Sequence, residues 1–121
     1  SVNQELVQQI IDKSQKKQRR LIISPNQAIE AVAKYFQLKP TEVRGQSRVE
    51  HLVEARHLAM YLLNKDLELP LTEIGRWFSH RDRTSVLHAV RKIQQEILDD
   101  ESVQQKIVQL RNKLSLVAKP S

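Results

Sequence analysis

Residues 79–93, SHRDRTSVLHAVRKI, bring histidine, aspartate and hydroxyl side chains together within a short stretch. Side chains of these types serve catalysis, metal binding and nucleic-acid recognition. His80-Arg81-Asp82 has the letters of a protein-kinase catalytic loop, but that loop requires Asn where this chain has Leu87. The chain also lacks a glycine-rich phosphate loop and, at 121 residues, is too short for a kinase.

The spacing of the same residues argues against metal binding and acyl-transfer catalysis. His80 and His88 lie two helical turns apart, and no HExxH-type spacing of metal ligands occurs. Ser85, His88 and Asp82 have the chemistry of a catalytic triad, but the sequence supplies neither an oxyanion hole nor a strained nucleophile turn. We therefore predict no catalytic residue and no metal site.

A helix that begins near Thr84 separates this stretch into two faces. Its apolar face carries Val86, Ala89, Val90, Ile93 and Ile97. Its polar face carries Thr84, His88, Arg91 and Gln95, flanked by Ser85 and Lys92, and begins with Arg81, Asp82 and Arg83. Such a face suits the DNA major groove, where Arg pairs with guanine, Asp accepts from cytosine and Thr methyls pack on thymine.

Local capping is the competing interpretation of these polar residues. Asp82 suits the N-cap of the helix, and hydroxyl side chains in the first turn serve capping as well. His88 would then be an ordinary solvated residue. A short helix over 71–78, the connector Ser79-His80 and a long helix together have helix-turn-helix spacing, which favours recognition. Protein-binding modules use that spacing too.

Helical periodicity extends over most of the chain. Apolar residues recur at helical spacing over 2–11, 25–36, 49–63, 71–78, 84–98 and 103–114, and a short turn over 40–44 lies between two of these segments. The segment 49–63 places Arg56 on the same side as Leu52 and Leu63. No segment shows sustained period-2 alternation. We predict an all-α domain of about six helices, including a short one, preceded by an N-terminal linker helix.

The domain organisation follows from the same segments. We assign residues 1–20 to a linker helix with a basic connector, 21–117 to a helix-turn-helix domain and 118–121 to a tail. The basic stretch over 12–20 fits either a solvated linker or an arm that contacts phosphates.

The composition bounds the partners and the compartment. A net charge of +6 and a pI of about 9.8 favour an anionic partner such as nucleic acid or an acidic membrane, and simple solubility explains them as well. The chain has no cysteine, which excludes disulfides and Cys-ligated zinc and fits a reducing cytosol. No apolar run approaches the roughly 20 residues of a membrane span, and the N-terminus lacks secretory-signal features.

Residues 71–93 resemble the signature region of the C-terminal DNA-binding domain of the DnaA family, the bacterial chromosomal replication initiators. The family pattern reads approximately L-P-E-I-G-x-x-F-G-G-R-D-H-T-T-V-x-H-A-x-x-K-I. The matching residues are Leu71, Glu73, Ile74, Gly75, Phe78, Arg81, Asp82, Thr84, Ser85, Val86, His88, Ala89, Lys92 and Ile93. Residues 54–62 and 25–38 also resemble the family, so that the resemblance covers about residues 21–115.

The resemblance implies roles for these residues. It places base and phosphate contacts in the major groove on the start of the long helix, a minor-groove arginine at Arg48, and phosphate contacts at Arg56 and His57. The predicted DNA-binding residues are Arg48, Arg56, His57, Arg81, Asp82, Arg83, Thr84, Ser85, His88 and Arg91. The implied partner is double-stranded DNA with replication-origin boxes, bound in the bacterial cytoplasm by a monomeric domain, with regulatory proteins as further candidates.

Departures from the family pattern leave competing functions open. Arg83 stands where the family has histidine, and the loop around Arg48 contains Glu50 in place of a dense run of cations. Ser79-His80 stands where the family has a Gly-Gly turn, and glycine adopts the backbone conformation of such a turn most easily. A helix-turn-helix transcriptional regulator and a protein-docking module with weak DNA affinity are the alternatives. No GxxxxGK[ST] motif occurs, so we expect no cofactor in this chain and ATP only for an upstream ATPase domain.

Overall fold

The computed structural model describes residues 23–117, and six α-helices account for most of them. They are α1 (Pro25–Tyr35), α2 (Pro40–Arg44), α3 (Glu50–Lys65), α4 (Leu71–Arg76), α5 (Arg83–Asp99) and α6 (Glu101–Val117). This range contains no β-strand, which confirms the predicted all-α class. The predicted linker helix and basic connector over 1–20, and the tail over 118–121, lie outside the described residues.

The helix boundaries follow from capping residues and prolines. The Ser24 hydroxyl accepts a hydrogen bond from the Gln27 N–H at 3.1 Å, and the Gln27 side chain accepts one from the Ser24 N–H at 3.0 Å. This reciprocal capping box, with Pro25 in the first turn, begins α1 as the sequence predicts. Pro40 likewise begins α2, and Pro70 directly precedes α4.

α3 lies at the centre of the domain and packs against α1, α2, α4 and α5, while α6 packs against α1 and α5. The apolar face predicted for α5 is confirmed. Its buried or core-packed residues are Val86, Ala89, Val90, Ile93 and Ile97. Burial of aliphatic side chains, at about 25 cal/mol per Å² of apolar surface, is the main force that holds α5 in one orientation. One side of α5 is therefore fixed to the core, and the other is left at the surface.

Ion pairs join α6 to the central helix region at the edge of the core. Arg111 donates to both carboxylate oxygens of Asp66, from Nε at 2.9 Å and from Nη2 at 3.0 Å. This hydrogen bonding raises the pKa of Arg111 above its ordinary value. Lys106 pairs with Glu54 on α3. Both pairs are partly exposed, so they fix the orientation of α6 more than they stabilise the fold.

Candidate nucleic-acid interface

The turn between α4 and α5 depends on a glycine where two backbone segments touch. A Cβ atom on Gly75 would lie 2.1 Å from the carbonyl oxygen of Arg81, so a larger residue does not fit unless the backbone moves. The Gly75 carbonyl accepts hydrogen bonds from the N–H groups of Phe78 at 3.1 Å and Arg81 at 3.0 Å. Gly75 therefore lets the chain fold back against the end of α4 and fixes where α5 begins.

Two consecutive non-glycine residues complete this turn in the left-handed backbone conformation. Ser79 has a φ of 60° and His80 a φ of 55°. This region costs residues that carry a Cβ atom roughly 1–2 kcal/mol each. The Ser79 hydroxyl donates to the carbonyl oxygen of Arg44 at 2.8 Å, which anchors the turn to the end of α2. The turn thus has the conformation that glycine favours, although the sequence supplies serine and histidine.

Asp82 is the N-cap of α5 and lies at the surface. Its Oδ1 accepts a hydrogen bond from the backbone N–H of Ser85 at 2.9 Å, and this bond lowers the pKa of the carboxyl group. A negative charge at this position also stabilises the N-terminus of a helix. The capping interpretation is therefore confirmed for Asp82. Capping and base recognition are compatible here, because the hydrogen bond engages Oδ1 and the side chain stays exposed.

The first three turns of α5 present a continuous exposed polar face. The exposed residues are Asp82, Arg83, Thr84, Ser85, His88, Arg91 and Lys92. The backbone N–H groups at the start of a helix attract anions, and the basic side chains add to that attraction. The structure thus brings six of the predicted residues together on one side of one helix. Lys92 joins them, although the sequence interpretation placed it only beside this face.

The loop between α2 and α3 presents Arg48 to solvent. The Arg56 side chain, from α3, links the end of α2 to this loop. Its Nε donates to the Val43 carbonyl at 2.9 Å, and its Nη1 donates to the Ser47 carbonyl at 2.9 Å. Only 3% of Arg56 is exposed. Burial lowers the pKa of Arg56, and the charge of Arg81 lowers it further.

The location of Arg56 gives it a structural role that the sequence did not predict. A buried guanidinium that donates to the Val43 carbonyl in α2 and to the Ser47 carbonyl in the loop holds these two segments together, and it is not on the exposed surface where a phosphate would approach. Its direct contact with DNA stays an untested prediction, and the described fold gives no surface for it. Arg81 is intermediate between the two situations: it is half-buried, and its Nη2 donates to the Gly45 carbonyl at 3.2 Å.

His57 lies half-buried beside these cations on α3. Its pKa is lowered from 6.5 to about 4, chiefly because burial disfavours the charged imidazolium. The positive charges of Lys92, Arg56 and Arg81 lower the pKa further. His57 is therefore neutral at pH 7, and its surroundings carry a positive potential of the kind that attracts phosphate groups.

A shared cleft makes the loop and α5 parts of one surface. Arg48 from the loop, His57 from α3 and Lys92 from α5 line this cleft, which has a volume of about 530 Å³. Four acidic residues and a further lysine also line it, so basic and acidic side chains share the cleft: Glu50, Glu54, Glu96, Asp100 and Lys106. The cleft thus connects the loop that carries Arg48 to α5 at Lys92.

Sequence reasoning missed one contact in this interface. The bond between the Ser79 hydroxyl and the Arg44 carbonyl joins residues that are 35 positions apart. The only sequence signal at this position was that Ser79-His80 departs from the Gly-Gly of the family pattern. Within residues 23–117, no three His, Asp or Glu side chains gather into a group that could hold a metal ion. No helix in the same range combines the length and apolar character needed to cross a bilayer.

A short helix, a tight turn and a long helix with an exposed polar first turn define a helix-turn-helix domain. The chain belongs to the family described as bacterial dnaA protein helix-turn-helix, whose model matches residues 25–93, more than half of its 121 residues. The matched segment runs from the start of α1 into α5 and contains all the predicted DNA-binding residues.

Similar proteins carry the same family name. The chromosomal replication initiator protein DnaA of Thermus thermophilus is 42% identical over 86 residues, which cover 71% of this chain and 20% of that protein. The corresponding protein of Lacticaseibacillus casei is 39% identical over 86 residues, covering 71% of this chain and 19% of that protein. The chain therefore spans about a fifth of the length of these curated relatives.

A solved structure extends the likeness to the fold. It is described as the crystal structure of a DNA replication initiation factor, and it matches with a TM-score of 0.67 at 28% identity. The match covers 87% of this chain and 31% of that chain. The fold of most of this chain is thus shared with part of that protein.

Proposed function

We propose that this chain binds short double-stranded DNA sites of the replication-origin type as the DNA-binding part of a chromosomal replication initiator. One observation carries the proposal: Asp82, Arg83, Thr84 and Ser85 are all exposed at the start of α5, while the opposite side of the helix is buried. A helix anchored in this way offers its first turn to a groove without distorting the core. Membership of the DnaA helix-turn-helix family supports the same assignment.

The major-groove contacts divide by chemistry. Arg83 donates to a guanine edge or to phosphate, and Asp82 accepts from the amino group of cytosine. The Thr84 methyl packs on a thymine methyl, and the hydroxyls of Thr84 and Ser85 bind phosphate or bases. Arg83 in place of the family's histidine shifts the preferred base at its position towards guanine.

Contacts outside the major groove position the domain on the duplex. Arg48 enters the adjacent minor groove, whose narrow A·T-rich form attracts arginine. Arg91 and Lys92 on α5 approach phosphates, and neutral His57 donates a hydrogen bond to a phosphate at the edge of the shared cleft. The domain binds as a monomer and needs no cofactor for this contact. ATP belongs to a separate part of the longer initiator.

A titration of fluorescently labelled duplexes tests this function. We expect an origin-type duplex to bind tighter than a scrambled duplex of the same composition. Arg83→Ala and Asp82→Ser should each reduce the preference at one base position by roughly 1–3 kcal/mol, and serine retains the helix cap at position 82. Gln105→Ala, on the exposed side of α6, is the control. Equal affinity of the parent protein for both duplexes would remove the claim of sequence specificity.

A transcriptional regulator with a related fold and a different site would fail that titration, but one that recognises the same site would pass it, so a second observation separates the two functions. The full-length protein carries an ATPase domain upstream if it is an initiator, and loading of a replicative complex at the bound site then follows. A protein-docking module would bind a regulator and show little duplex affinity at moderate salt. The segment around Arg48, which contains Glu50 in place of a dense run of cations, is the feature that favours this third function.

A further inference from the structure

Two elements of the candidate interface are distant in sequence and are joined directly in the fold. The loop that carries Arg48 follows α2, and the exposed polar face of α5 begins at the N-terminus of that helix. The Ser79 hydroxyl donates to the Arg44 carbonyl at 2.8 Å, and the Arg81 guanidinium donates to the Gly45 carbonyl at 3.2 Å. The turn that starts α5 is thus hydrogen-bonded to the backbone from which the loop departs.

The loop is held from a second side by Arg56. Its guanidinium donates to the carbonyls of Val43 and Ser47, both at 2.9 Å. Within the loop, the Val49 N–H donates to the Ser47 hydroxyl at 3.2 Å. The backbone before Arg48 is therefore held by side chains from α3 and from the α4–α5 turn, and the Ser47 hydroxyl bridges to the backbone after it.

Ser79 stands out among these residues because its backbone is unfavourable for serine. Its φ of 60° is one that glycine adopts without the steric cost of a Cβ atom. Serine, unlike glycine, has a hydroxyl group, and here that group donates the hydrogen bond to the Arg44 carbonyl. Its neighbour His80 has the same left-handed conformation, with a φ of 55°, and provides a matched position for comparison.

We propose that Ser79 is a positioning residue for DNA recognition, whose hydroxyl bond to Arg44 fixes the Arg48 loop relative to α5 so that the minor-groove and major-groove contacts form together. The inference rests on the proposed function. A loop that is ordered before binding loses less conformational entropy on the duplex, so the contact of Arg48 contributes more. Ser79 acts through Arg48 in this arrangement and does not itself touch DNA.

The test combines two glycine variants with and without Arg48. Ser79→Gly removes the left-handed side chain together with the hydroxyl, whereas His80→Gly removes a left-handed side chain and keeps the hydroxyl bond. Ser79→Ala removes the hydroxyl and keeps the Cβ atom. Each variant is made in the parent chain and in Arg48→Ala, and affinities for an origin-type duplex with an A·T-rich flank are measured by anisotropy.

We expect Ser79→Gly and Ser79→Ala to weaken binding about three- to ten-fold in the parent chain, the range of one net hydrogen bond. In the Arg48→Ala background the same changes should weaken binding less than about two-fold, since the residue through which they act is absent. His80→Gly should change affinity less than about two-fold in both backgrounds. Thermal unfolding of each variant establishes that it is folded.

Two results overturn the proposal. An equal loss in both backgrounds means that Ser79 contacts DNA or acts on the whole fold, and no loss in either means that the bond to Arg44 has no part in recognition. Failure of the underlying function gives a different pattern. In that case Arg48→Ala and Arg83→Ala themselves leave duplex affinity unchanged, whatever residue occupies position 79.

Discussion

Two groups of arginines lie in the candidate interface and are used differently. Arg83 and Arg91 on α5 are exposed. Arg56 and Arg81 donate to backbone carbonyls around the α2–α3 loop, and Arg56 is buried. The first group is placed to bind an anionic partner, and the second supports the loop that carries Arg48. Positive charge alone therefore does not identify a DNA contact. The acceptors that a guanidinium already has in the folded protein decide its role.

The largest expected effect concerns the turn that places α5. Gly75→Ala should lower the free energy of unfolding by about 3 kcal/mol, because its Cβ atom meets the Arg81 carbonyl and the backbone of the turn must move. Urea unfolding followed by circular dichroism measures this change. Gly45→Ala is the milder comparison: its Cβ atom would lie 3.3 Å from the Thr41 carbonyl, a tight contact that a small shift relieves, and its φ of −78° suits alanine. Similar losses at both glycines would contradict the account of the turn.

The comparison between the two groups of arginines is sharpened by replacing one member of each with methionine. Arg56→Met should lower the free energy of unfolding by about 2–3 kcal/mol, because the carbonyls of Val43 and Ser47 lose their donor. Arg91→Met should leave stability within about 0.5 kcal/mol and reduce the slope of log affinity against log salt by about 0.9. Urea unfolding and duplex titrations at several salt concentrations give both values. A large stability loss for Arg91→Met would show that the exposed arginines also support the fold, and would contradict the division into two groups.

A smaller effect should appear in the pH dependence of stability. The pKa of His57 is about 4 in the folded protein and near 6.5 when unfolded, so the unfolded chain binds more protons between these values. Stability should therefore fall as the pH decreases from about 6.5 to 4, by about 1–2 kcal/mol after discounting for partial exposure. His57→Gln should remove most of this decrease. His51→Gln, an exposed position on the same helix, is the control. A decrease of unchanged size in His57→Gln would show that other groups cause it.

The smallest effect concerns the left-handed turn. His80→Gly should raise the free energy of unfolding by about 0.5–1 kcal/mol, since it relieves the Cβ strain but makes the unfolded chain more flexible. Gln37→Gly, at a φ of 60° after α1 and away from the interface, should give a gain of similar size. Thermal unfolding of the two variants gives the comparison. A loss of stability in His80→Gly alone would mean that the histidine side chain has a structural contact of its own.

The sequence predicted the helices well because their signals are local. Ser24 and Pro25 begin α1 at the start of the predicted segment 25–36, and α2 covers the short turn predicted over 40–44. The periodicity of α5 gave its buried side correctly. Local signals also placed Asp82 at the surface as a cap or a contact, and it serves as the cap.

The supporting contacts were predicted less well, because they depend on tertiary structure. Arg56 stood on the apolar side of its predicted helix, which indicated burial, but the family resemblance led to a predicted phosphate contact. The Ser79 bond to Arg44 spans 35 positions, and no local pattern encodes it. Whether Arg48 and Lys92 share a surface was likewise decided only by the packing of α3 against α5.

The central claim is that the start of α5 reads bases, and a selection from a random pool of duplexes tests it most directly. The parent chain should enrich one short asymmetric motif with an A·T-rich flank. Arg83→Ala should lose enrichment at one position inside the motif, and Arg48→Ala should lose the flank. A pool that shows no motif with the parent chain, or the same motif with Arg83→Ala as with the parent, would contradict the claim.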